Sequence, residues 1–406
     1  MIQYDLRSLS LPKLSGKTLS WFVKVLENPT MNSLLMPKLL KDGDMAGFRD
    51  TALHEPPMHL PVIQSDNHET QYEPVFPKLN KSQSSTLSSP FISISQLVSA
   101  YDKKEITPSD IAEKIITQAK KHLAHGNGYN LFISFDEQDI RKQAEESSIR
   151  ILQKKHRSLL EGVPIAVKDE IDQTPYPTTV GTKIFGKSPV LTDATVVKRL
   201  RDHGAILLGK TNMHEIGINP NGYNPHYGRA KNPYHPEHDT GGSSSGSAAT
   251  LAFGLCSAAI GADGGGSIRI PASFCGVFGL KPTYSRVSEH GAFPLCWSVA
   301  HIGPIATNTF DLSLLYGIIA GPDTHDRNSL SQPKVILPDN DFTLLGKTIG
   351  IFRPWFEHAN SEIVRSCENV LNNCKKLGAH ITEIEIPELN AMRQAHSIII
   401  VSEMAN

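Results

Sequence analysis

The chain predicts an α/β fold in which a mixed β-sheet core is covered by helices on both faces. Short, wholly apolar runs at 163–167, 205–208 and 256–262 read as buried strands, because a strand covered on both faces needs no polar alternation. Segments with helical spacing of apolar residues lie between such runs, and strands alternate with helices along the chain. Glycine (30) and proline (27) are plentiful but dispersed through apolar sequence, which reads as loops on a packed body and not as disorder.

Taken in order, residues 17–40 read as two short amphipathic helices broken near Pro29. Leu19, Trp21, Phe22, Val25 and Leu26, then Leu34, Leu35, Met36, Leu39 and Leu40, alternate with Lys17, Lys24, Lys38 and Lys41. Such a segment can lie on a membrane surface or pack on the protein body, and packing is the less demanding reading. Residues 55–90 are rich in proline and serine and read as a connector. A short helix at 94–97 opens the main body. Thr107-Pro108-Ser109-Asp110 then starts a helix, with a threonine cap, proline in the first turn and an acid at the capping-box position. Ile111, Ile115, Ile116 and Ala119 form its apolar face.

Residues 131–135 read as a strand, 137–155 as a long charged helix, 163–167 as a strand and 194–202 as a helix stopped by Gly204. After the strand at 205–208, residues 245–253 suit a helix, and 256–262 a buried strand aimed at a triple glycine. A strand at 347–352, a helix at 361–377, a strand at 381–386 and a helix beginning after Pro387 complete the order. The last residues, Ser402 to Asn406, fall inside that helix without a capping glycine, so the C-terminal part of the fold is expected to be missing. The expected division is an amphipathic helical extension at 1–54, a linker at 55–92 and the main domain at 93–406.

Bulk properties exclude several classes. Lys and Arg (40) balance Asp and Glu (41), which leaves no electrostatic footprint for nucleic acid. Five cysteines, with no C-x-x-C pair, indicate neither a disulfide framework nor a structural zinc site. The histidines lack metal-ligand spacing, and neither a metal nor a cofactor is expected. No stretch approaches the roughly 20 apolar residues of a membrane span. Met1 to Asp5 lacks the residue order of a secretory signal.

Two glycine–serine loops carry the chemistry: Gly241-Gly242-Ser243-Ser244-Ser245-Gly246 and Asp263-Gly264-Gly265-Gly266-Ser267-Ile268-Arg269. Three glycines before a serine leave consecutive backbone N–H groups unobstructed, as an oxyanion hole requires. Upstream, the apolar run from Val163 ends in Lys168, and burial disfavours the charged form of a lysine. Two serines and a lysine point to a nucleophile, a relay and a base. The bland reading of each part is a plain turn for the first loop and a solvated strand-end lysine for Lys168.

Three further patterns compete. Gly204-Ala205-Ile206-Leu207-Leu208-Gly209-Lys210-Thr211 has Walker A spacing, but a core strand preceded by a helix is the wrong context for a phosphate loop. Gly242-Ser243-Ser244-Ser245-Gly246 fits a nucleophile elbow centred on Ser244, yet a proline-broken polar loop precedes it where a buried strand is needed. His214 is a candidate base only in the absence of the lysine, and Thr211 to Glu215 reads as a segment that orders the neighbouring loop.

Taken jointly, the lysine strand and the two loops, with Gly279-Leu280-Lys281-Pro282-Thr283 and Gly303-Pro304-Ile305-Ala306, resemble the amidase signature family from about Ile94 onward. Leu11-Pro12-Lys13-Leu14-Ser15-Gly16, the Trp21 helix and Glu55-Pro56-Pro57-Met58 resemble the N-terminal extension of plant-type fatty acid amide hydrolases. The resemblance implies the amidase signature fold, with Ser267 as nucleophile, Ser243 as relay after a cis Gly242–Ser243 bond, and Lys168 as base. It implies an oxyanion site at Gly264, Gly265, Gly266 and Ser267, with Asp263, Arg269 and Ser244 fixing the loops. It further implies hydrolysis of lipid amides such as N-acylethanolamines, a membrane surface met through residues 17–40, and a homodimer. The implied location is cytosol-facing, peripheral to the endoplasmic reticulum or plasma membrane. A soluble small-amide or glutamine amidase, or an inactive lipid-binding form, are the alternatives.

Overall fold

Residues 14, 16–43, 45–47, 71–77, 92–123, 128–337 and 343–405 are described by a computed structural model. They fall into two units, 58–340 and 1–57 with 341–406. The motifs at 11–13 and 55–58, and most of the expected linker, lie outside the described residues.

The smaller unit begins with α1 (Gly16–Glu27) and α2 (Pro29–Asp42). The break falls where expected: Asn28 caps α2 by accepting from the N–H groups of Thr30 and Met31, and Pro29 starts it. The same unit holds a parallel pair, β7 (Thr348–Ile351) and β8 (His380–Glu383), with α10 (Arg353–Phe356), α11 (Ser361–Lys376) and α12 (Leu389–Met404).

The larger unit is built on a six-stranded mixed sheet ordered β1-β3-β2-β4-β6-β5. Its strands are β1 (Phe132–Ser134), β2 (Pro164–Lys168), β3 (Ile206–Thr211), β4 (Ala258–Ala262), β5 (Phe278–Gly279) and β6 (Ile302–Ala306). The three central strands β3, β2 and β4 are parallel, and the outer pairings are antiparallel. Side chains alternate between two apolar clusters. Ala166, Ile206, Leu208 and Ala259 pack with α4 (Pro108–Leu123), α5 (Glu137–Leu152), α7 (Ser245–Ala252) and α8 (Arg269–Phe274). Ile165, Val167, Leu207, Ala258 and Ile260 pack with α6 (Thr195–Asp202) and α9 (Thr309–Ile319). Helices therefore cover both faces, as the apolar runs require. The remaining helix, α3 (Ile94–Asp102), carries a full capping box between Ser93 and Gln96.

At α4 the expected cap is present. Thr107 N–H donates to Asp110 Oδ2 at 2.9 Å, and Asp110 N–H donates to Thr107 Oγ1 at 3.2 Å. Strand β3 runs three residues past the apolar run, because Lys210 is buried with Asp169 3.6 Å away and can stay inside the sheet. Part of the expected connector is docked, not free. Tyr72 Oη donates to the carbonyl of Ile318 at 2.6 Å, and Val75 N–H to that of Gly317 at 2.9 Å. The Arg199 guanidinium lies 3.9 Å from the Tyr72 ring centre.

Candidate active site

Strand β2 is buried at every residue and ends in Lys168, so the sheet itself carries the lysine inward. Strand β4 runs parallel beside it and ends in Ala262, which places the loop from Asp263 at the same end of the sheet. Helix α7 packs on both strands, and its N-terminal approach carries Ser243 and Ser244. The site thus lies where parallel strands end, the usual place for a ligand in an open α/β sheet.

Lys168 Nζ donates to Ser243 Oγ at 2.8 Å and to the Ala262 carbonyl at 3.2 Å. Both side chains are buried. Glu170 Oε1 lies 3.1 Å from the same nitrogen, with its side chain 8% exposed. The Gly242–Ser243 peptide bond is cis. A Cβ on Gly242 would lie 2.1 Å from the Asn221 carbonyl oxygen, so only glycine fits against that backbone.

The second loop is organised around Asp263, which is fully buried. Its carboxylate accepts from the N–H groups of Gly266 (2.7 Å), Ile268 (3.1 Å) and Arg269 (3.3 Å). Arg269 also grips it in two-pronged fashion, Nε to Oδ2 and Nη2 to Oδ1, both at 2.9 Å. Burial pushes the Asp263 carboxyl up, but the Arg269 contacts and the backbone donors outweigh that and hold it below its ordinary value. Ser267 is half-buried on this loop. Ser244 N–H donates to the Ser267 carbonyl at 3.1 Å, and Ser244 Oγ donates to the Ala262 carbonyl at 3.2 Å, so Ser244 ties the two loops together.

The Gly266 amide is committed to Asp263 and is not available to a substrate oxygen. Among the described residues, the amides of Gly265 and Ser267 make no hydrogen bond. That leaves two of the expected donors facing the space beside Ser267.

The competing patterns separate cleanly. Ser244 is buried, its hydroxyl is engaged by Ala262, and no strand leads into it, which removes the elbow. Gly209 to Thr211 are strand residues and Lys210 is fully buried, so no phosphate loop forms there. His214 N–H donates to the Ser243 carbonyl at 3.2 Å, so its segment does order the serine loop. Burial holds the His214 imidazole below its ordinary value, with the charge of Lys168 adding to that and Glu215 opposing it.

Glu170 belongs to none of the sequence motifs. Strand alternation puts residues 168 and 170 on one side, and that periodicity is the signal by which it can be found.

A buried Ser–Lys pair beside a glycine-rich serine loop is the donor set for acyl transfer without a metal. Residues 114–406 match the family described as Amidase. The chain belongs to that family. It is 38% identical to a fatty acid amide hydrolase of Medicago truncatula, over 99% of this chain and 71% of that one. It is 41% identical to a glutamyl-tRNA(Gln) amidotransferase of Syntrophobacter fumaroxidans, over 62% of this chain and 52% of the relative. Among solved structures, the peptide amidase of Stenotrophomonas maltophilia superimposes with a TM-score of 0.71 at 29% identity. That match covers 77% of this chain and 66% of the peptide amidase, so this amidase chain spans a little under two thirds of that structure. No helix among the described residues is long and apolar enough to cross a membrane.

Proposed function

We propose that the chain hydrolyses fatty acid amides, such as N-acylethanolamines, to a free fatty acid and an amine through a Ser-Ser-Lys relay. The observation that carries the chemistry is the buried 2.8 Å contact of Lys168 Nζ with Ser243 Oγ beside the Ser267 loop. Neutral Lys168 takes the proton of Ser243, Ser243 takes that of Ser267, and the Ser267 oxygen bonds to the substrate carbonyl carbon. The carbonyl oxygen gains the electron pair and is met by the amides of Gly265 and Ser267, each worth about 3 kcal/mol in the transition state. As the C–N bond breaks, the proton returns through Ser243 to the leaving nitrogen. Water then enters by the same relay and releases the acid.

The lipid assignment rests on the resemblance to the Medicago enzyme over 99% of this chain, which takes in residues ahead of the family match. The same reading puts α1 and α2 on a membrane surface, cytosol-facing and peripheral. The amidotransferase likeness favours a second reading, a soluble small-amide or glutamine amidase, but it covers only 62% of this chain.

The deciding assay compares a long-chain N-acylethanolamine with a short aliphatic amide and with glutamine, on wild type and Ser267→Ala. Preference for the long chain, with turnover and fluorophosphonate labelling both lost in the variant, is the expected result. Preference for glutamine, or labelling that survives the substitution, would refute the substrate or the nucleophile respectively.

A further inference from the structure

We infer that Glu170 is a positioning residue of the proton relay, holding the ammonium that forms on Lys168 when Ser243 gives up its proton. The inference rests on the Ser-Ser-Lys reading above and adds a fourth member to it. Three observations carry it. Glu170 Oε1 lies 3.1 Å from Lys168 Nζ, and the two side chains are 8% and 1% exposed, so water does not screen the contact. The carboxylate approaches the nitrogen that also donates to Ser243 Oγ and the Ala262 carbonyl, so three oxygens fix its place. Room for the arrangement comes from Gly217, where a Cβ would lie 3.3 Å from Glu170 Oε2 and 3.4 Å from Ser243 Oγ.

The proton count defines the role. As the Ser267 oxygen bonds to the carbonyl carbon, one proton passes from Ser267 to Ser243 and another from Ser243 to the neutral Lys168 amine. Glu170 takes no proton; it stays a carboxylate while its neighbour turns from amine to ammonium. It thereby stabilises a charge that exists in the transition state and not before, which is the kind of contact that raises kcat. When the proton returns to the leaving nitrogen, the pair reverts to amine and carboxylate. The same carboxylate favours the ammonium in the resting enzyme, so it also sets the acidic limb of the pH profile. Other charges facing the pair are Lys210 on β3, His214 in the segment after it, and Asp169 and Asp172 in its own segment. None of them is altered by the substitutions below.

The test is the rate of fluorophosphonate labelling against pH, which reports activation of the nucleophile whatever the substrate. In Glu170→Gln the acidic limb should move to lower pH by about 1–3 units, the span expected for loss of an opposite charge at this range. The plateau rate should fall at least about tenfold, as expected for a lost charge contact in the transition state. Glu170→Asp keeps the charge but withdraws it by one methylene, so its limb should stay near that of wild type while its plateau falls. A limb unmoved in Glu170→Gln, or moved equally in both variants, overturns the inference. Should the Gln variant not fold, a limb displaced in Glu170→Asp overturns it alone. Failure of the underlying relay looks different, because labelling would then survive Ser267→Ala in the wild-type background.

Discussion

Lys168 Nζ and Ser243 Oγ are hydrogen-bonded at 2.8 Å although 75 residues separate them in sequence. The sheet makes that contact: β2 brings the lysine to the end of its strand, and the segment before α7 lays the serine across it. A lysine placed there has no water shell, and its partners are Ser243, the Ala262 carbonyl and Glu170.

Lys168→Met should lower kcat at neutral pH by about 10²–10⁴-fold, the usual contribution of a positioned base. Methionine keeps the bulk but leaves Glu170 buried without its cation, so a lower melting temperature should accompany the loss. Steady-state kinetics beside a thermal melt separate the two effects. A near-wild-type rate at pH 7 would remove Lys168 from the reaction.

Asp263→Ala should be more damaging than Arg269→Ala. The first removes the acceptor of three backbone N–H groups and frees the Gly266 amide. The second removes a side chain that is 55% exposed and leaves those backbone bonds in place. The expected loss in kcat/KM is about 10²–10³-fold for Asp263→Ala, the scale of one misplaced oxyanion donor, and about tenfold or less for Arg269→Ala. Because the folded Asp263 carboxyl is held below its ordinary value, its contribution is present above that value and lost only as pH falls further. Activity lost between pH 7 and 5 therefore should not track unfolding of this loop, which near-UV circular dichroism would report.

Much of this site is legible in the sequence because its signals are local. A wholly apolar strand ending in lysine and a serine after three glycines can be read in windows of six to eight residues. Strand β6 does not read as a strand, because Gly303 and Pro304 interrupt it. In the sheet Pro304 only accepts, from Leu280 N–H at 3.1 Å, so its missing N–H costs nothing there. Helix α9 escapes notice for the opposite reason: Leu314, Leu315, Ile318 and Ile319 are all buried, and its apolar run shows no polar face to mark a helical period. Triple glycine reads as several open amides. The fold turns one of them to Asp263, a choice set by loop geometry and not by residue type. Glu170 has meaning only once β2 is known to be buried through Lys168.

Asp311→Asn should stabilise the protein at alkaline pH and change it little in acid. Asp311 is fully buried, and burial raises its carboxyl to about 6 against the pull of the Ile94 and Asn308 donors. One of its oxygens, Oδ1, has no hydrogen-bond partner. A group raised in the folded state contributes stability below its unfolded value, and loses it as pH rises through about 6. The charged carboxylate should therefore cost up to about 3 kcal/mol at pH 8, the free-energy equivalent of such a shift. Asparagine keeps an acceptor for the Ile94 N–H, which Asp311 Oδ2 meets at 3.0 Å. Urea melts at pH 5 and pH 8 measure the difference. A variant equally stable relative to wild type at both values would contradict the assignment.

Helices α1 and α2 give the membrane proposal a sharper test than their sequence does. Neither contains a buried residue, but their apolar side chains are not equivalent. Phe22, Val25, Leu26, Leu35, Met36, Leu39 and Leu40 are half-buried, whereas Leu19, Trp21 and Leu34 are 44%, 64% and 67% exposed. The exposed three are the ones free to enter a bilayer interface, with Lys17 and Lys24 left for anionic headgroups. Replacing Leu19, Trp21 and Leu34 with serine removes side chains that each gain about 1.5–3 kcal/mol on full burial. Even partial insertion makes the expected loss about 3 kcal/mol, or roughly a hundredfold in vesicle partitioning. Because these residues are exposed, melting temperature and hydrolysis of a short soluble amide should hold steady. The KM for a long-chain acylethanolamide presented in vesicles should rise. Cosedimentation with vesicles containing phosphatidylserine at low salt gives the answer: if wild type stays in the supernatant, or the triple variant pellets as well as wild type does, these helices do not serve a membrane.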